Sequence, residues 1–180
     1  MRKVSVTFAV CCLGLAMLAA ACGAQDKSKR PSPPATASVD LGMGTKLTID
    51  YSSPRLKSRH VGGEVATFGK VWRLGANEAT TFVTTGAVTV GGKAVPAGSY
   101  TMFAIPEKDK WTLIISKKTG EWGTDYPGEG EDLARVDLKV SALPASVENF
   151  TISLEKSGMN ATLNFDWDTT RASVPVAMKM

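Results

Sequence analysis

The 180-residue chain carries 21 basic and 17 acidic side chains, one histidine and three cysteines, and 43% of it is hydrophobic. A single histidine excludes paired-imidazole mechanisms and His-rich metal sites. A formal charge of +4 gives no footing for nucleic-acid binding, and part of it is lost with the leader described next.

Arg2 and Lys3 form a short basic region, and residues 4–21 are apolar apart from Ser5 and Thr7, ending in the small residues of AMLAAAC. This reads as a secretory signal peptide over residues 1–21; a membrane span needs about 20 apolar residues, so the stretch is marginal as one. The run stops at Cys22 and resembles a lipobox, whose cysteine receives a diacylglyceryl group. Ala19 stands at the position where Leu is usual, with Leu18 one earlier. Cys11 and Cys12 leave with the leader, so the mature chain keeps only Cys22 and no internal disulfide can form. Lipidation accounts for the remaining thiol, and two acyl chains give stable attachment; the other reading is an ordinary secreted protein with a spare cysteine. Gly23 follows in place of the Asp that signals inner-membrane retention, so the expected location is the outer membrane, facing the periplasm. Cleavage removes Arg2 and Lys3 and lowers the formal charge from +4 to +2.

Residues 22–44 hold the lipidated Cys22 and then GAQDKSKRPSPPATASVDLGMG, rich in Pro, Ser, Ala and charge. This predicts a flexible linker with a span of about 25 Å. Residues 45–180 suit one domain with a core of its own. KLTIDYS alternates, with Leu47, Ile49 and Tyr51 on one face. AVTV and AVPAGSYTMFAI flank a predicted hairpin turn at Gly91-Gly92, and PEKDK separates the latter strand from WTLIIS. EGEDLARV gives at most a short helical turn. ARVDLKVSAL places Val136, Leu138 and Val140 on one face. NFTISLEK and NATLNFDW are joined across Ser157-Gly158, and RASVPV closes the chain. No stretch holds a helical period for three turns. The expected fold is all-β, a single antiparallel β-sandwich or barrel-like domain.

The chemistry is narrowed by what is missing. A Ser-His-Asp hydrolase would have to use His60, and no Gly-x-Ser-x-Gly elbow is present. GEVATFGKV has the wrong glycine spacing for a phosphate loop, and Val71 replaces the magnesium-binding hydroxyl. DWDTTR, with Asp166 and Asp168, lacks the glycine and distal Glu of a calcium loop and reads as a strand end. Glu64 and Glu78 are the best candidates for a glycosidase-like carboxylate pair. The richest stretch is VWRLGANEATTF, where Arg73, Asn77 and Glu78 surround Gly75, with Arg55 upstream and Phe68 and Trp72 as candidate pocket floors. Arg offers a rigid fork of donors for carboxylate or phosphate, and Asn and Glu recognise hydroxyls or an amine. The alternative is structural: Arg73 pairs with Glu78 while Trp72 and Phe82 are core.

SPR at Ser53–Arg55, GKVWRLGANEAT, VPAGSYTMFAIP, KWTLIISKKTGEWG and ENFTISLE together resemble the bacterial domain-of-unknown-function family 2911, over residues 45 to 176. The resemblance implies an exported protein, often a lipoprotein, with no established activity, and marks Arg55, Trp72, Arg73, Asn77 and Glu78. The chain departs from the family pattern at Leu74, where a small residue is common, and at Glu64, where the family tends to be apolar. The resulting expectation is a lipid-anchored envelope protein that binds a small polar or glycan-like ligand, or another envelope protein, through those five residues. Membrane lipid is contacted through acylated Cys22, and no cofactor, metal or nucleic acid is expected. The alternatives are an envelope hydrolase with Glu78 as general base and a purely structural envelope component.

Overall fold

The structure, a computed structural model, describes residues 26–179. The leader and Cys22, on which the lipoprotein reading rests, lie outside the described residues. Nine strands form: β1 (Pro34–Gly42), β2 (Thr45–Ser52), β3 (Thr80–Thr84), β4 (Val88–Val90), β5 (Lys93–Val95), β6 (Gly98–Ile105), β7 (Lys110–Ser116), β8 (Asp132–Ser157) and β9 (Asn160–Met178). They make one antiparallel sheet in the order β1-β2-β3-β6-β7-β8-β9-β4-β5. The helical content of the described residues is two 3₁₀ turns, Lys27–Lys29 and Glu129–Glu131, the second inside EGEDLARV.

The two long strands fold this sheet over a common core. A straight strand of 26 residues would run about 85 Å, far beyond the radius of gyration of about 15 Å for a domain of this size. Strands β8 and β9 instead break register between Ala142 and Thr151. The inward set on β9 changes phase at the break: Ala161, Leu163, Phe165 and Trp167 are buried before it, Ala172, Val174 and Val176 after it. A one-residue slip exchanges the two faces of a strand, so a bulge here keeps both halves of β9 turned to the core. Asp168 takes up the irregular backbone with φ of 55°. Arg171 spans the bulge, its Nε and Nη2 donating to Asp166 at 2.7 and 2.6 Å. Strand β1 comes to lie against β8, and one hydrophobic cluster draws residues from all nine strands, from Leu41 on β1 to Val176 on β9. The sheet does not close, since β1 and β5 remain its edges. The all-β, sandwich-like reading therefore holds.

The predicted turns form where the glycines stand. Val90 pairs with Lys93 across Gly91 and Gly92, whose φ of 53° and 80° match a two-residue primed turn that needs positive φ at both positions. Ser157 pairs with Asn160 across Gly158 and Met159. Three expectations are corrected. Residues 34–42, read as linker, are strand β1, whose partly buried row is Ala35, Ala37 and Val39, ending in buried Leu41. The domain thus begins before residue 45; alternation carried by alanine has too little hydrophobic contrast to stand out. ARVDLKVSAL and NFTISLEK are two ends of β8, and NATLNFDW and RASVPV two ends of β9, because the bulge residues carry the Pro, Ser and Thr of a loop. Asp166 and Asp168 are accordingly at a mid-strand bulge, not a strand end.

Trp72, Trp111, Phe150 and Trp167 form an aromatic group within the core. The Trp72 and Trp167 rings stack at 5.5 Å and 15°, and Phe150 meets both edge-on at 4.8 and 5.7 Å. Phe150 is fully buried, so Phe150→Ala is expected to cost about 3–5 kcal/mol, measured as a drop in the urea midpoint with the slope unchanged.

Candidate functional site

Between β2 and β3 the chain runs from residue 53 to 79 without a strand, long enough to suggest a role beyond connection. It is nevertheless fixed. The Leu56 N–H donates to Glu148 O and the Phe150 N–H to Pro54 O, at 3.0 and 2.9 Å. Trp72 and Ala104 exchange backbone hydrogen bonds of 2.7 and 2.8 Å, tying the segment to β6. The Trp72 indole N–H donates to Gly75 O at 3.1 Å. Lys57, Ser58, Ala66, Leu74 and Asn77 all have φ between 44° and 64°, a left-handed conformation that non-glycine residues adopt at a cost. Leu74 is fully buried in that conformation.

This segment, with the β9 bulge, frames a cavity of ≈ 280 Å³ lined by Arg59, Glu64, Trp72, Arg73 and Trp167 among others, with Ser32 from the preceding segment. Arg73 is the unusual member. Trp72 and Leu74 on either side are buried, and the buried Nε has no hydrogen-bond partner among the described residues. No carboxylate there pairs with it. Burial pushes its guanidinium below the ordinary arginine value. Arg59 donates to Leu56 O through Nε and to Arg55 O through Nη2, which orients its head beside the cavity. Glu64 stands exposed on the rim; its own N–H and that of His60, donating to Oε2 at 3.2 Å, keep its carboxyl below the usual range. His60 Nδ1 lies 3.1 Å from Asp168 at the bulge.

The expected pairing of Arg73 with Glu78 is not made. Arg30 Nη1 donates to both Glu78 oxygens at 3.0 Å, and Lys27 Nζ lies 3.1 Å from Oε1. Partial burial works against the Glu78 carboxylate, but hydrogen bonds from its own backbone N–H, Arg30 and Lys27 outweigh it and hold the pKa at about 2. Glu78 lines a second hollow of ≈ 230 Å³ with Lys27, Asp50 and Tyr51. Asn77 donates to Ser32 O at 3.2 Å. Arg55 Nη1 donates to the carbonyl and hydroxyl of Ser53 at 2.8 and 2.9 Å. Of the five residues singled out by sequence, Trp72 and Arg73 share the larger cavity, Glu78 lies on the other, and Arg55 and Asn77 brace backbone. Residue type alone does not single out Arg59 or Trp167: Arg59 is turned to the cavity by its bonds to Leu56 O and Arg55 O, and Trp167 arrives from β9, distant in sequence. Glu64 and Glu78, the proposed carboxylate pair, line different cavities.

The chain belongs to the family described as "Protein of unknown function (DUF2911)", whose family model matches residues 32–176. That match begins just before β1, in keeping with the domain start seen in the fold. No curated protein and no solved structure matches the chain.

The Glu78 cluster yields a pH prediction. With a folded pKa of about 2 against an ordinary 4.5, the carboxylate's stabilising contribution is complete above 4.5 and is lost as pH falls through 2. The difference in unfolding midpoint between the wild type and Glu78→Gln is therefore expected at pH 7, should shrink below 4.5 and should vanish only below pH 2. In Arg30→Ala the carboxyl should titrate closer to 4.5, read by carbon NMR of the side chain.

Proposed function

We propose that this is an exported, lipid-anchored binding protein of the cell envelope, whose Arg73 cavity takes a small polar ligand bearing an anionic group. The observation that carries this reading is the half-buried Arg73 guanidinium, which lines a cavity yet has no partner among the described residues. A partly desolvated cation without a partner is unfavourable, and a planar carboxylate or phosphate offers the acceptors its fork requires. Trp72 and Trp167 supply an apolar wall beside it, the mixture of one apolar surface and a few polar groups common in small-molecule sites. Export and anchoring rest on the leader and Cys22.

The hydrolase reading is less well supported. A general base works best with a pKa near the working pH, whereas Glu78 is held at about 2 and is already engaged by two cations.

Thermal unfolding of the intact chain in detergent against carboxylates, phosphate, sugars, sugar acids and amino acids tests the binding reading. A ligand at a hundred times its dissociation constant adds about 2.7 kcal/mol, a shift of several degrees. Arg73→Met should leave the unliganded stability unchanged or raise it by about 1 kcal/mol while removing the ligand's shift. A shift that survives Arg73→Met places the ligand elsewhere. Cys22→Ser should move the protein from the membrane to the soluble fraction; retention would assign anchoring to another feature.

A further inference from the structure

The Arg73 cavity carries charge of both signs. Arg59 and Arg73 line it together with Glu64, and no ion pair joins Glu64 to either arginine among the described residues. The Glu64 carboxylate accepts from the His60 N–H through Oε2 and from its own N–H, and it stands exposed on the rim, open to a further donor. The guanidinium of Arg73 is likewise unsatisfied at Nε. Opposite charges that share a cavity and leave each other unpaired can each be completed by a separate part of one ligand.

We infer, building on the binding reading above, that the ligand is zwitterionic: an amino acid or a dipeptide with free ends, its carboxylate on Arg73 and its ammonium on Glu64. An ammonium has three donors and no acceptor, so it matches the exposed carboxylate on the rim, while a carboxylate accepts two bonds from a guanidinium fork. Two residues of extended chain reach about 7 Å, and the cavity that Arg73 and Glu64 both line has a volume of ≈ 280 Å³. The stacked Trp72 and Trp167 rings present apolar surface to the stem between the charged ends. A neutral sugar would bring no countercharge to Arg73 or Glu64, and a simple anion would engage Arg73 alone.

The experiment is thermal unfolding of the intact chain with the twenty free amino acids and with Gly–Gly, Ala–Ala and Phe–Ala, each beside its N-acetyl and C-amide form. The expected result is a shift by at least one zwitterion, lost when either end is blocked. Glu64→Gln, which keeps an acceptor for the His60 N–H and so the fold, should reduce affinity for that zwitterion by about tenfold or more. The same variant should bind the N-acetyl form no worse than the wild type does. Equal shifts by the free and N-acetyl forms, unchanged in Glu64→Gln, would overturn the zwitterion assignment while leaving the anion site intact. If no amino acid or dipeptide shifts the midpoint but phosphate or a sugar acid does so in an Arg73-dependent way, the zwitterion is again rejected and the anion site stands. If no probe of any class does, both are rejected.

Discussion

Trp72 is the fastening on which the middle of this protein depends. It lies in a segment without a strand ladder, so the cost of ordering that backbone, about 1–2 kcal/mol per residue, is not offset by regular sheet pairing. Its indole instead enters the core, stacked on Trp167 and flanked by Phe150 and Trp111. Its backbone makes a two-way bridge with Ala104. Through Trp167 the same packing reaches the β9 bulge, so segment, sheet fold and cavity wall are held by one aromatic group. Arg73 follows directly in the chain, and the burial of its two neighbours explains how a charged side chain is kept partly desolvated without a partner of its own.

Charge is handled in two opposite ways within a few residues. Glu78 is saturated: two cations from the preceding segment and its own backbone N–H keep it ionised. Arg73 is left open. A fold selected only for stability would gain by joining these two groups, as the sequence invites, or by replacing Arg73 with an apolar residue of similar size. Their separation into different hollows costs stability locally and leaves Arg73 without a partner among the described residues.

Much of the fold is legible from short-range patterns. Hairpins are legible because Gly91-Gly92 and Ser157-Gly158 demand turns, and β2 because Leu47, Ile49 and Tyr51 alternate with polar neighbours. Strand β1 is hidden by its alanines, and the continuity of β8 and β9 by bulge residues with the composition of loops. The site is less legible for a different reason. Arg73 and Trp72 stand out locally, but the partners of Glu78 are Arg30 and Lys27, the former 48 positions away, inside a stretch with a linker's composition. Trp167 meets Trp72 only because the bulge sets the phase of β9. No local spacing encodes either fact.

The segment before β1 also defines a path for mechanical force. Arg30 holds Glu78, the Asn77 amide holds Ser32 and the Ser53 N–H holds Pro33, and all three attachment points lie in the segment that frames the cavity. Tension applied upstream of residue 26 therefore loads that frame before it reaches the β1–β2 ladder, and Ser32, itself part of the lining, sits on the line of pull. A chain held by its N-terminal side would carry its load past the mouth of its own cavity, with the Lys27–Glu78 and Arg30–Glu78 pairs as the first clasps under strain.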